Sequence, residues 1–116
     1  MAFVLVDAEN VRRSRWPNVR PGRLVELVRQ WGEIAGHDVL IVFDGRAPVE
    51  SDDVVGTGDE SADDWLVRHA RELDAAGEPY WLVTSDRGLR AAAGEGAERT
   101  VGGGAFLREL LALPGT

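Results

Sequence analysis

Uninterrupted apolar runs are the first feature of this chain that predicts structure. They occupy residues 3–6, 39–43 and 80–83, and none of them alternates between apolar and polar positions. A strand that is apolar on both faces must be covered on both faces, so these runs predict buried parallel strands. Residues 54–57 and 98–101 are weaker strand candidates.

The segment between the first two runs has the spacing of a helix. It begins with Pro21, ends before Gly36, and carries apolar residues three or four positions apart: Leu24, Leu27, Val28, Trp31 and Ile34. Proline at the first position and glycine after the last are typical of helix ends. The pattern therefore predicts an amphipathic helix with one buried face.

Three further helices follow from similar signals. One is predicted over residues 61–76 with Gly77 as its stop, a shorter one after Asp86, and a last one in the apolar segment 106–113. The glycines at 102–104 are expected to form a flexible hinge before this last helix.

Strands alternate with helices along most of the chain. This order predicts an α/β fold: a three-layer, Rossmann-like α/β/α sandwich around a mainly parallel open sheet. With 116 residues and no linker or repeat, the chain is expected to form a single domain over residues 1–116.

Composition narrows the possible chemistry. The chain has no Cys, and all 13 of its basic residues are Arg. Disulfide scaffolds, thiolate metal sites, phosphate loops that need Lys, and Schiff-base enzymes are therefore excluded. The N-terminus lacks a charged leader with a following apolar stretch, and no apolar run approaches about 18 residues, so we expect a cytoplasmic protein with no membrane segment.

The net charge of −7 comes from one part of the sequence. Residues 44–64 contain eight acidic residues against Arg46 alone, which accounts for the whole excess. An acidic protein is at first sight a poor candidate for binding nucleic acid. Because the excess is confined to this segment, the remaining charges are balanced, and the Arg residues near the N-terminus stay available for phosphates.

Acidic residues also stand where the predicted strands end. Asp7 ends the first strand, Asp44 the second, and Asp86 follows the third apolar run after Thr84 and Ser85. The carboxyl ends of parallel strands lie along one edge of a sheet, where ligands bind, so these carboxylates should converge. Mutual repulsion would be offset by a hard divalent cation such as Mg²⁺ or Mn²⁺.

A fourth carboxylate is expected from the helix over residues 61–76. Helical spacing places Asp63 on the same face as Leu66 and Ala70, toward the protein, whereas Asp64 lies on the solvated side. We therefore predict Asp63 as a metal ligand, and Asp64 as a structural residue or a supporting residue behind the ligands.

Each acid also has a purely structural interpretation. Asp44 precedes Gly45 in a turn dipeptide, Asp86 can cap its helix, Asp63 can complement a helix dipole, and Asp7 can close a turn. Four acids predicted at one edge favour a metal site over these separate explanations. Such a site, without Cys, Lys or a suitably placed His, is suited to metal-assisted hydrolysis of phosphodiesters.

Candidate substrate-binding residues surround this edge. Arg residues cluster after Asn10, at Arg12, Arg13, Arg15, Arg20 and Arg23, with Trp16 among them. The Arg side chains can bind phosphates and Trp16 can stack on a base, or the segment is a solubilising loop with Trp16 packed on the next helix. Asn10 can hydrogen-bond within the site or to a phosphate, and Arg87 can bind the scissile phosphate or simply lie on the surface.

Five short segments follow one another along the chain: VDAEN (6–10), VFDG (42–45), SADDWL (61–66), VTSDR (83–87) and FLREL (106–110). In this order they resemble the YacP-like branch of the NYN domains, which belong to the PIN-like nuclease superfamily. The resemblance covers nearly the whole chain and is most specific in the ADD and TSDR segments.

The resemblance implies a PIN-like sandwich and metal-dependent ribonuclease activity. Asp7, Asp44, Asp63 and Asp86 match the family's acidic positions, and Asn10 matches its Asn after the first strand. Two departures stand out. Ala8 and Glu9 occupy positions where the family usually has Gly and Tyr, and residue 88 is Gly where many PIN nucleases carry another Asp.

Three hypotheses follow. The leading one is an endoribonuclease that uses one or two Mg²⁺ or Mn²⁺ ions to hydrolyse RNA. The second is a non-catalytic RNA-binding NYN module. The third, a phosphoryl-transfer protein of the receiver or haloacid-dehalogenase type, is disfavoured because both families rely on Lys. In the first two cases, a homodimer or a protein partner is expected to help so small and acidic a chain hold a long RNA.

Overall fold

One parallel sheet organises the molecule. The structure, a computed structural model, describes residues 1–115. Within them it contains five strands and five helices: β1 (Phe3–Asp7), α1 (Ala8–Arg12), α2 (Pro21–Ala35), β2 (Asp38–Phe43), β3 (Val54–Gly56), α3 (Ala62–Ala75), β4 (Tyr80–Val83), α4 (Arg87–Ala93), β5 (Arg99–Val101) and α5 (Gly103–Leu111).

The strand order across the sheet is β3-β2-β1-β4-β5, and every pairing is parallel. The chain builds outward from β1 through β2 to β3, then crosses to the other side of β1 to add β4 and β5. The order therefore reverses between β1 and β4, which is the point where open α/β sheets bind ligands. The three predicted apolar strands and both weaker candidates are confirmed.

Successive residues of each strand pack on opposite layers of helices. In β1, Val4 and Val6 join a core with α1, α2 and α5 that includes Trp31 and Phe106. Leu5, between them, joins a second core beneath α3 and α4. Both faces of the sheet are buried, which is why the strands appear as continuous apolar runs. The three-layer α/β/α architecture is confirmed.

The predicted ends of the two long helices are also correct. Pro21 is the first residue of α2, and Gly36 ends that helix in the left-handed region at φ 74°. Ser61 caps α3 by accepting a hydrogen bond from the Asp64 amide at 3.1 Å. Gly77 follows α3 with φ 69°, a conformation that side chains rarely adopt.

One local prediction needs correction, and one short helix was not predicted. The glycines expected to form a hinge instead lead directly into α5, since Gly102 is its N-cap and Gly103 begins it. A tertiary contact, in which Gly103 packs against Asn10, explains the glycine at position 103. The short helix α1 was not predicted, because five residues are too few to show a helical period.

None of the helices described over residues 1–115 is long and apolar enough to cross a membrane.

Candidate functional site

Acidic side chains surround a cavity of about 620 Å³ at the carboxyl ends of the central strands. Asp7 is the last residue of β1, Asp44 follows β2, and Asp63 stands in the first turn of α3; all three line the cavity. Asp86, the N-cap of α4, lies beside it. Its charge still raises the pKa of Asp7 and of Asp63. The structure thus brings the four predicted acids together.

Asp7 is the buried member of this group. Its residue is only 6% exposed, and burial is the main reason that its pKa rises from 3.8 to about 6. The hydroxyl of Thr84 donates a hydrogen bond to Asp7 Oδ2 at 2.9 Å and acts in the opposite direction, lowering the pKa. The negative charges of Asp63 and Asp86 raise it further.

Thr84 is a site residue to which the sequence reasoning assigned no role. It is fully buried, and its hydroxyl oxygen also accepts a hydrogen bond from the Asp86 amide at 3.1 Å. Its carbonyl oxygen accepts from Arg90 Nε at 2.7 Å. The available signal was a hydroxyl residue directly after an apolar strand and two positions before an acid. Thr84 therefore links the carboxylate of Asp7 to the backbone of Asp86.

Two of the acids also have the structural roles that were considered as alternatives. Asp86 Oδ1 accepts a hydrogen bond from the Leu89 amide at 2.8 Å and so caps α4. Asp44 Oδ1 accepts from the Ala62 amide at 3.0 Å and ties the end of β2 to the start of α3. In both residues the second carboxylate oxygen has no hydrogen bond from residues 1–115. Capping and ligand binding are thus compatible in the same side chain.

Asp63 and Asp64 diverge as their helical spacing predicts. Asp63 faces the cavity, where burial and the charges of Asp86, Asp64 and Asp44 raise its pKa. Asp64 lines a different, shallow depression on the surface, together with Arg68 and Arg71.

The acids are not arranged as a closed metal cage. Among residues 1–115, no group of three or more Asp, Glu and His side chains is placed so that it could hold a metal ion. Mg²⁺, however, is commonly held by one or two carboxylates and keeps several waters. Four carboxylates that repel one another provide the donor chemistry that suits a hydrated divalent cation, and Asp44 and Asp86 each accept only one hydrogen bond from residues 1–115.

The predicted Arg cluster divides into paired and available side chains. Arg12 pairs with Glu9 and also donates to the Val19 carbonyl oxygen, so it braces the loop between α1 and α2. Arg13 pairs with the same Glu9 at 3.0 Å, lines the cavity, and keeps 62% of its side chain exposed. Arg23 pairs with Glu26 on the surface.

The exposed loop that follows α1 carries the other candidates. Trp16 is 84% exposed, so the alternative in which it packs on the next helix is wrong. Arg15 and Arg20 are exposed on the same loop, and Arg87 is exposed at the start of α4. Asn10 lines the cavity and accepts a hydrogen bond from the Ser85 amide at 2.9 Å, so it bonds within the site.

The sheet order and the comparison with solved structures show that the chain has a YacP-like NYN fold. The crystal structure of Rae1 (YacP) from Bacillus subtilis superposes with a TM-score of 0.73 at 23% identity, over 96% of this chain and 74% of that chain. A single-substitution mutant of Rae1 gives a TM-score of 0.71 at 26% identity, over 96% and 76%. No protein-family model and no curated protein matches the sequence.

Proposed function

We propose that this protein is a metal-dependent endoribonuclease that hydrolyses RNA phosphodiester bonds with Mg²⁺ or Mn²⁺. The observation that carries the proposal is the convergence of Asp7, Asp44, Asp63 and Asp86 at the point where the strand order reverses. Burial and mutual repulsion raise the pKa of Asp7 and Asp63. Clustered carboxylates at a cleft are typical of a functional site rather than of a stabilising one.

The four carboxylates are the residues that would hold one or two ions. A bound divalent ion supplies a lowered pKa for water and neutralises charge on a phosphate. Thr84 stabilises the ionised form of Asp7 through its hydrogen bond to Oδ2. Asp44 and Asp86 each use one oxygen for a backbone amide, which orients the carboxylate and leaves the other oxygen for a ligand.

RNA is proposed to bind across the exposed loop after α1. Arg13 and Arg15 would contact phosphates, and Trp16 would stack on an unpaired base. Arg87, beside Asp86, would contact the scissile phosphate. Arg12 would act indirectly, because its side chain is occupied by Glu9 and Val19. A homodimer or a protein partner would extend this small basic surface.

The decisive experiment compares cleavage of labelled RNA in Mn²⁺, Mg²⁺ and EDTA by the wild type and by Asp63→Asn and Asp86→Asn. Asn caps helices as well as Asp does, so Asp86→Asn should keep α4 intact. We expect each variant to lose at least about 100-fold in activity. Asp52→Asn, which removes an exposed acid of the same segment, is the matched control and should stay within about twofold of the wild type.

Full activity in both site variants, or cleavage that persists in EDTA, would refute the proposal. A second candidate, a non-catalytic RNA-binding module, is favoured by the lack of a three-ligand group among residues 1–115. Calorimetric titration separates the two functions. RNA binding without any Mn²⁺ binding at millimolar concentration would support the module.

A further inference from the structure

Three residues from separate parts of the chain are connected by two hydrogen bonds beside the group of carboxylates. Asn10 of α1 accepts a hydrogen bond from the Ser85 amide at 2.9 Å, and Ser85 Oγ accepts one from the Gly103 amide at 2.8 Å. Ser85 belongs to the loop between β4 and α4, and Gly103 begins α5. This Asn10–Ser85–Gly103 cluster therefore joins three elements at the edge of the cavity.

Asn10 occupies the space that a side chain at position 103 would need. A Cβ atom added to Gly103 would lie 2.2 Å from Asn10 Oδ1, far inside van der Waals contact. At Gly104, one residue later in the same helix, the nearest atom is Ser14 Cβ at 4.0 Å. The absence of a side chain at position 103 thus makes room for the side-chain oxygen Oδ1 of Asn10, whereas position 104 has no such constraint.

The Asn10–Ser85–Gly103 cluster restrains the loop between β4 and α4, and this loop carries Asp86. Thr84 is anchored through Asp7 and Arg90, and Asp86 donates its amide to Thr84. Ser85, between them, is exposed, and the bond from its amide to Asn10 is the contact that restrains it from the α1 side. Without that bond, the loop is anchored through Thr84 and through the Ser85 hydroxyl.

We propose that Asn10 is a positioning residue that fixes the 84–86 loop, and with it the Asp86 carboxylate, through the Asn10–Ser85–Gly103 cluster. The catalytic consequence rests on the proposed nuclease function, whereas the positioning itself does not. The competing role for Asn10 is direct binding of a substrate phosphate through its amide hydrogens. The two roles differ in kinetics, because misplacing Asp86 lowers kcat, whereas loss of a substrate contact made equally in the ground state raises KM.

Two substitutions disrupt the cluster from opposite sides. Asn10→Ala removes the acceptor for the Ser85 amide. Gly103→Ala leaves Asn10 in the sequence but pushes its side chain away, because the closest atom to the new methyl group is the end of that side chain; the Asn10 main-chain oxygen, at 3.3 Å, needs to shift only by a few tenths of an ångström. Gly104→Ala is the matched control, since it adds the same methyl group to the same helix turn, where the nearest atom, Ser14 Cβ, is at an ordinary contact distance of 4.0 Å.

Hydrogen exchange at the Ser85 amide, followed by NMR without metal, tests the positioning directly. We expect exchange to accelerate roughly tenfold in both Asn10→Ala and Gly103→Ala, and to change less than about twofold in Gly104→Ala. Unchanged exchange in Asn10→Ala would overturn the proposal. Thermal melting verifies that each variant remains folded.

Kinetics with RNA and Mn²⁺ test the consequence. We expect both disruptive variants to lower kcat by about tenfold with little change in KM, and the double variant to be no worse than Asn10→Ala alone, because both act through one contact. Additive losses, or a raised KM with unchanged kcat, would overturn the positioning role. If the wild type cleaves no RNA, the proposed function fails, and the exchange rates still decide whether Asn10 positions the loop.

Discussion

Asp7 offers the sharpest test of the physical reasoning, because its burial has a calculable cost. Its carboxyl has a pKa of about 6 in the folded protein, against 3.8 as an ordinary value, mainly because burial disfavours the charged form. A shift of this size corresponds to about 3 kcal/mol, at about 1.36 kcal/mol per pKa unit. Above pH 6, without metal, the folded state therefore carries an ionised Asp7 at this cost.

The sign of the pH dependence follows from the raised pKa. Below pH 3.8 the carboxyl is protonated in both states, so it contributes no difference. Between pH 3.8 and about 6 the unfolded chain loses the proton while the folded protein retains it, so this group lowers the free energy of unfolding as pH rises. Above about pH 6 the loss is complete and constant.

Replacing Asp7 by Asn removes the charge and keeps the shape. We expect Asp7→Asn to raise the free energy of unfolding by about 1 to 3 kcal/mol at pH 8 in EDTA, since the new amide hydrogens need hydrogen-bond partners and offset part of the gain. The gain should shrink through pH 6 and approach zero near pH 4.

Urea unfolding at pH 4, 6 and 8, followed by circular dichroism, measures this difference. Asp52→Asn is the control, because it makes the same chemical change at an exposed site and should have little effect at any pH. No stabilisation by Asp7→Asn at pH 8, or a gain of equal size at pH 4 and pH 8, would refute the reasoning.

Two other predictions concern residues around the site. Thr84→Val removes the donor to Asp7 and the acceptor for the Asp86 amide. We expect the free energy of unfolding to fall by about 2 kcal/mol at pH 8, and by less at pH 4, where Asp7 is protonated. Equal losses in urea unfolding at both pH values would contradict this. Glu9→Gln releases Arg13 from its ion pair. RNA binding, measured by fluorescence anisotropy in EDTA, should tighten about threefold. The slope of log affinity against log salt concentration should steepen by about 0.7 per added phosphate contact. An unchanged slope would show that Arg13 does not reach RNA.

The carboxylate site illustrates how far sequence reasoning reaches. Asp63 and Asp64 are adjacent in sequence, and the helical period alone separated the one that faces the cavity from the one that does not. Thr84 could not be assigned in this way. Its role depends on Asp7, which lies 77 residues away and becomes its neighbour only through the pairing of β1 with β4.

The glycines at 102–104 are a case that the sequence alone could not decide. Consecutive glycines are ambiguous in a sequence, because they are compatible with a hinge as well as with close packing. Only the approach of Asn10 to within 2.2 Å of the Cβ position at Gly103 distinguishes the two. Trp16 is similar, since whether it is exposed depends on how its loop leaves α1.

Local sequence patterns were enough to predict the five strands, every helix except α1, the layering, and the edge of the sheet at which the acids gather, because these follow from local periodicity and from the parallel direction of the strands. Tertiary structure alone decided which acid is buried, which oxygens remain free, and how Thr84 and Asn10 tie the Asp86 loop in place. These features arise from contacts between residues far apart in the chain, and a local pattern carries no information about the distances between them.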